Sequence, residues 1–188
     1  SVNTPRGFGM LSDWALMQDQ EGLLLNYYGP GVLEAEFGPD LTVALKQNTE
    51  YPLAGQITIN VTPSRPATFA LKLRIPHWSE TVRVAVNGEE VSGVTPGSYL
   101  RLAREWKPGD QIAIALDMSC HVWRGERECE GLASVYRGPL LLAYDHRYNL
   151  DRAAEGVRVR DIQNWDPTTC TLAIPAIDTA NLDPQPGK

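Results

Sequence analysis

Apolar and polar residues alternate over two runs near the middle of the chain, on either side of a short polar connection. The apolar alternate positions are Phe69, Leu71, Leu73 and Ile75 in the first run and Val82, Val84 and Val86 in the second. A period of two is typical of half-buried strands, so this stretch predicts a sheet packed on one face, with Lys72 on the other face. Pro76 should end the first strand because it cannot donate to a ladder, and Asn87-Gly88 favours a tight hairpin turn after the second.

The same alternation recurs in short runs separated by glycine and proline. Further strands are predicted at residues 23–28, 32–37, 41–47, 57–62, 99–102, 111–116, 120–123, 132–136 and 140–144. Short strands at this spacing, with turn signals between them, predict an all-β fold, an antiparallel β-sandwich or jelly roll.

The N-terminal residues follow a different pattern, because Phe8, Leu11 and Ala15 recur near helical spacing. Residues 1–20 are therefore interpreted as a short N-terminal helix, and residues 21–188 as one β-sandwich domain. Gly7 and Gly9 weaken the helix, so it should dock on the sandwich, on another domain or on a second copy of the chain. Over roughly the last forty residues the pattern fades. A helical turn at 152–155 and a last strand at 170–174 are expected within an otherwise irregular end.

The formal net charge of -6 over 188 residues argues against nucleic acid as a partner, since that binding relies on clustered Lys and Arg. No apolar run approaches the about 18 residues that a membrane span needs, and no signal peptide is expected. The three cysteines, Cys120, Cys129 and Cys170, lack C-x-x-C spacing, which disfavours a zinc site and favours free thiols, although one bridge stays open.

Two groups of side chains resemble catalytic sets. Glu126, Glu128 and Glu130 lie close together, and glycoside hydrolysis needs paired carboxylates, but a solvated acidic loop is the favoured interpretation because catalytic carboxyls need burial. His121 is adjacent to Cys120, yet neighbouring residues of a strand point to opposite faces, which disfavours a Cys/His pair. We therefore predict no catalytic residue in this chain.

Tryptophan offers a different chemistry, because sugars stack their C–H faces on exposed aromatic rings. Trp78 follows a strand end, Trp123 precedes the acidic loop, and Trp165 lies in the irregular end. These three are the candidate carbohydrate-binding residues. Core packing is the competing interpretation for each, and Trp106 is expected to plug the sandwich edge.

An ordered set of motifs resembles a known family. In chain order they are LLLNYYGPG, the TxYP of residues 49–52, LRIPHWS, VNG, GSYLRLAREWKPGD and YRGPLLLAYD. Together they resemble the C-terminal β-sandwich region of bacterial β-L-arabinofuranosidase-like proteins, the glycoside hydrolase family 127 group and its relatives. The resemblance covers residues 3–144.

The resemblance implies a two-part enzyme. An upstream (α/α)-barrel carries the chemistry, with a cysteine nucleophile and a zinc ion held by cysteines and a glutamate, and sandwich domains follow. Residues 3–17 resemble the last barrel helix, which makes the predicted N-terminal helix a remnant of that barrel. The zinc is therefore expected in the barrel, and no cofactor is expected in this chain.

Two functions follow from these observations. The first is a non-catalytic β-sandwich accessory domain of a glycoside hydrolase, with its own upstream catalytic domain as partner and a homodimer as a further arrangement. The alternative is a carbohydrate-binding module that uses exposed tryptophans. The two differ in whether Trp78, Trp123 or Trp165 line an exposed groove or lie in the core.

Overall fold

A computed structural model describes residues 10–11 and 13–142 of the chain. Its strands are β1 (Leu16–Gln18), β2 (Gly22–Leu25), β3 (Gly31–Glu36), β4 (Thr42–Thr49), β5 (Gln56–Pro63), β6 (Ala67–Arg74), β7 (Val82–Val86), β8 (Glu89–Glu90), β9 (Tyr99–Trp106), β10 (Asp110–Leu116), β11 (Cys120–Arg124), β12 (Ala133–Arg137) and β13 (Leu140–Leu142). A 3₁₀-helix spans Arg127–Cys129. The predicted all-β, sandwich-type fold is confirmed.

The chain divides into two compact units, Ser1–Ser119 and Cys120–Lys188. The first unit contains two sheets, with strand orders β1-β2-β6-β9 and β3-β4-β5-β10-β7-β8. Most neighbouring strands are antiparallel, but β2 runs parallel to β6. The second unit contains the three-stranded antiparallel sheet β11-β12-β13.

One hydrophobic core fills the first unit and draws residues from both of its sheets. Its fully buried side chains include Leu23, Leu45, Ile59, Leu71, Leu73, Trp106 and Ile112. Trp106 lies inside this core, where its indole Nε1 donates to the Phe69 carbonyl oxygen at 3.2 Å. Trp106 was expected to plug the sandwich edge, but it is wholly buried in the core.

The central stretch forms the two predicted strands, but they belong to different sheets. β6 lies in the first sheet and β7 in the second, so the connection between them crosses the sandwich. Ser79 is buried in this connection, and its hydroxyl accepts the Asp117 amide at 2.8 Å. The predicted turn after β7 is confirmed, because Asn87 and Gly88 have φ values of 52° and 86° and join β7 to β8.

The N-terminal helix ends earlier than predicted. Residues 10–11 and 13–15 are helical, but Leu16 begins strand β1, which pairs with β2. The prediction of a helix through Gln20 is therefore wrong after Ala15. Residues 16–18 form backbone hydrogen bonds to β2, and this pairing overrides their helical spacing. A local periodicity cannot reveal such a pairing.

Several expectations lie outside the described residues. These are the start of the N-terminal helix, the helical turn at 152–155, the strand at 170–174, Cys170 and the irregular C-terminal end. Within the described part, no helix has the length and apolar character that a membrane crossing requires.

Candidate functional site

The three candidate tryptophans have different surroundings. Trp78 is partly buried and packs against the core of the first unit. Trp123 lies on β11 of the second unit and is 64% exposed. Trp165 is outside the described residues. Trp78 and Trp123 thus belong to separate units, and only Trp123 presents most of its ring to solvent.

The acidic loop runs between β11 and β12. Glu126, Glu128 and Glu130 are all exposed around the short 3₁₀-helix, and the Gly125 amide closes the loop on the Leu132 carbonyl oxygen at 3.0 Å. A glycosidase acid needs an environment that raises its pKa, usually burial. This loop provides three solvated carboxylates.

Cys120 and His121 lie side by side on β11. Their ladder partners on β12 are Arg137 and Tyr136, which places the two side chains on opposite faces of the sheet. His121 stacks on the Tyr136 ring with centroids 5.4 Å apart. Among residues 10–11 and 13–142, no cluster of three His, Cys, Asp or Glu side chains is suited to a metal ion, so this part does not fit the zinc site that the resemblance implies.

A group of tyrosines covers one end of the first sheet. Tyr28 donates from its hydroxyl to the Arg74 carbonyl oxygen at 2.8 Å, and its ring meets the Tyr51 ring edge to face at 6.1 Å. Burial raises the pKa of both Tyr28 and Tyr51. These tyrosines therefore stay neutral and act as packing and hydrogen-bonding groups, which accounts for the two tyrosine-containing motifs, NYYG and TxYP.

Asn26 fastens the helical residues to this end of the sheet. Its backbone amide donates to the Ala15 carbonyl oxygen at 2.9 Å, and its side-chain Nδ2 donates to the Trp14 carbonyl oxygen at 2.8 Å. Its Oδ1 accepts a hydrogen bond from the Tyr99 hydroxyl. The Asn26 side chain therefore links the helix end to β9.

A charged cluster lies at the turn between β1 and β2. Lys72 Nζ is 2.6 Å from an oxygen of Asp19 and 2.6 Å from an oxygen of Glu21, and Arg101 reaches Glu21 at 3.3 Å. The Asp19 Oδ1 also accepts the backbone amides of Glu21 and Gly22. The cluster ties the turn to β6 and β9 through four alternating charges.

The cluster shifts the titration of its members. The hydrogen bond from Lys72 lowers the pKa of Asp19 and of Glu21, with Arg101 contributing at Glu21, and the two carboxylates raise the pKa of Lys72. The two carboxylates stabilise the folded state fully above their ordinary pKa values of 3.8 for Asp19 and 4.5 for Glu21. This stabilisation is lost as the pH falls through their lowered pKa values. The stabilisation that comes from Lys72 is complete below the ordinary lysine pKa of 10.5, and it is lost as the pH rises through the raised pKa of Lys72.

The segment that leads into the sandwich exposes apolar side chains. We call residues 10–18 the lead-in segment. Met10, Leu11, Trp14 and Met17 are each between 38% and 48% exposed. Large apolar side chains left open to solvent on one short segment are typical of an interaction surface.

Sequence reasoning missed the residues that hold this segment. Asn26, Tyr99 and Lys72 were not selected, because their partners lie far away along the chain. A signal was present in Asp19, which precedes Glu21-Gly22 and is the residue type that accepts backbone amides in a tight turn. A lysine at the centre of an apolar strand was a second signal.

A family model describes part of the chain. The model for the β-L-arabinofuranosidase GH127 middle domain matches residues 22–118, which include β2 to β10. No curated protein matches the chain in sequence.

Solved structures of similar fold agree with this match. One, described as a glycoside hydrolase, is 30% identical to this chain, with a TM-score of 0.67. The match covers 74% of this chain and 24% of the other. A GH127 β-L-arabinofuranosidase from Geobacillus stearothermophilus T6 is 26% identical, with a TM-score of 0.67 and coverage of 74% and 22%. A further GH127 β-arabinofuranosidase is 26% identical, with a TM-score of 0.61 and coverage of 68% and 23%. The chain thus spans about a quarter of the length of these structures.

Proposed function

The chain belongs to the GH127 β-L-arabinofuranosidase family, whose middle-domain model matches residues 22–118, and from this we propose that it is a non-catalytic accessory domain of a glycoside hydrolase. Its role is to support a catalytic (α/α)-barrel that lies upstream in the same protein. The match to a middle domain carries this proposal, since such a domain has neighbours in the chain. The exposed apolar side chains of the lead-in segment support the proposal that this segment contacts the barrel.

The isolated chain is expected to show no glycosidase activity. The physical reason is that the acidic loop presents solvated carboxylates, whereas a general acid needs a raised pKa. The measurement is release of the aryl group from aryl arabinofuranosides and other aryl glycosides. Turnover by the isolated chain that disappears in Glu126→Gln or Glu128→Gln would contradict the proposal.

Trp14 provides a direct test of the supporting role. In the isolated chain Trp14 is 42% exposed, so Trp14→Ala should lower the melting temperature only slightly. In the whole protein the barrel would cover the ring, and the same substitution should lower the melting temperature more. Trp123→Ala is the control and should behave alike in both. If Trp14→Ala lowered the melting temperature equally in the isolated chain and in the whole protein, docking through this segment would be contradicted. A lower molar mass in solution after deletion of residues 1–20 would indicate a homodimer instead.

A second candidate function rests on the exposure of Trp123. Trp123 is 64% exposed, and the ladder register places it on the same face of the three-stranded sheet as the stacked His121 and Tyr136. An exposed indole beside two further aromatic rings is suited to stacking on a sugar. This observation favours a carbohydrate-binding role for the second unit, in addition to support of the barrel.

Binding to arabino-oligosaccharides, measured by calorimetry, tests this second function. Trp123→Ala should weaken binding about tenfold or more, as expected for a tryptophan at the centre of a contact. Trp14→Ala, in the other unit, is the matched control and should leave binding unchanged. Absence of binding by the unmodified chain, or equal binding by both variants, would exclude Trp123 as a sugar-binding residue.

A further inference from the structure

Most described side chains of the lead-in segment are exposed, and among them only Ala15 and Leu16 are partly buried. Among the described strands, β1 pairs with β2 alone, through the register pairs Leu16↔Leu25, Met17↔Leu24 and Gln18↔Leu23. Leu16 packs against the core, whereas Met17 is 48% exposed. A short edge strand with one partly buried and two exposed side chains belongs to the low-stability part of a fold. Polar contacts must therefore supply much of what keeps it in place.

The contacts at the turn are electrostatic. Lys72 stands on the outer face of β6, between Leu24 of β2 and Arg101 of β9 in the ladder. Its side chain is only 16% exposed, and its ammonium group contacts Asp19 and Glu21 at 2.6 Å each. The apolar stem thus covers the sheet while the charge holds both carboxylates of the turn.

The charged groups around Lys72 come from three elements. Asp19 and Glu21 face it from the turn, Arg101 faces it from β9, and Arg74 follows two residues later on β6. Arg101 already contacts Glu21 at 3.3 Å, so removing Lys72 leaves Asp19 without its cation and keeps two carboxylates close together. Like charges at short range repel, which would push the turn away from the sheet.

We propose that Lys72, Asp19 and Glu21 form an electrostatic latch that holds the lead-in segment against the first sheet and whose opening frees that segment while the core stays folded. The latch deepens the proposed function, because this segment is the one assigned to contact the barrel. It depends only on contacts within the chain. Its test in the isolated chain can therefore fail while the supporting role stands, and the reverse also holds.

Hydrogen exchange of backbone amides, followed by mass spectrometry at neutral pH, tests the latch. Lys72→Met keeps the apolar stem and removes the charge. It should speed exchange of residues 16–19 about threefold, within the range expected for loss of a surface ion-pair network, and leave β5 unchanged. Lys46→Met, at an exposed lysine of β4, is the matched control and should alter neither region. Lys72→Arg keeps the charge, so residues 16–19 of this variant should exchange as slowly as in the unmodified chain.

High salt provides a measurement that requires no substitution. At about 1 M NaCl the screening length falls to about 3 Å, so exchange of residues 16–19 in the unmodified chain should approach that of Lys72→Met. Unchanged exchange of residues 16–19 in Lys72→Met, or in high salt, would overturn the proposal. Equal acceleration in residues 16–19 and in β5 would also overturn it, because the effect would then be global unfolding and not release of the segment.

Discussion

Replacing Gly22 with alanine is expected to destabilise the first unit by about 3 kcal/mol, because there is no room for a side chain where β2 runs beside β6. A Cβ atom at Gly22 would lie 1.9 Å from the Ala70 carbonyl oxygen and 2.8 Å from the Ala70 backbone nitrogen. Backbone atoms cannot move aside as a flexible side chain can. The two strands would have to separate, and the hydrogen bond from the Ala70 amide to the Glu21 carbonyl oxygen would be lost.

Urea denaturation measures this effect, and Gly29→Ala is the matched control. Gly29 lies in the loop after β2, and a Cβ there would meet no atom within 4 Å. The control should change the free energy of unfolding by less than about 1 kcal/mol. If Gly22→Ala were as mild as Gly29→Ala, the parallel pairing of β2 with β6 would be wrong.

The strands themselves were predictable because burial imposes a period of two. Alternation alone located β7 at its observed bounds and identified Leu71 and Leu73 as core residues. The turn after β7 was predictable for a local reason, since Asn-Gly tolerates the positive φ values that the turn requires. Both signals are contained in a few neighbouring residues.

Strand pairing was less predictable, because the period of two tells which face is buried but not which strand lies alongside. β6 and β7 have similar patterns and a short connection, yet they belong to opposite sheets. β2 pairs in parallel with β6 although about forty residues separate them, whereas a parallel pair requires a connection of only about a dozen residues or more. Those partners depend on contacts distant in sequence.

The same limit applies to the candidate site. The two carboxylates of the latch are next to one turn, but the lysine that holds them is 53 residues away from Asp19. Asn26 depends likewise on the Tyr99 hydroxyl, 73 residues further along the chain. The sequence pattern indicates that Lys72 faces outward, but only the structure shows that Asp19 and Glu21 lie opposite it.

Leu73→Ala should lower the free energy of unfolding by about 2–5 kcal/mol, because it leaves a cavity in a fully buried part of the core. Leu73 lies on β6 opposite Leu100 of β9 and Leu25 of β2. Both partners are core residues, so the surrounding strands cannot close the space without shifting the ladder. Chemical denaturation of the isolated chain gives the value directly.

Lys72→Ala is the matched test on the neighbouring position of the same strand. Its side chain lies on the outer face, where it holds the β1–β2 turn, so its removal should free the lead-in segment and change global unfolding far less than Leu73→Ala. The pair therefore reports the register of β6, since a slip of one residue would exchange the two faces. If Lys72→Ala proved the costlier substitution, β6 would present its other face to the core, and the sandwich packing derived from the alternation of Phe69, Leu71 and Leu73 would be wrong.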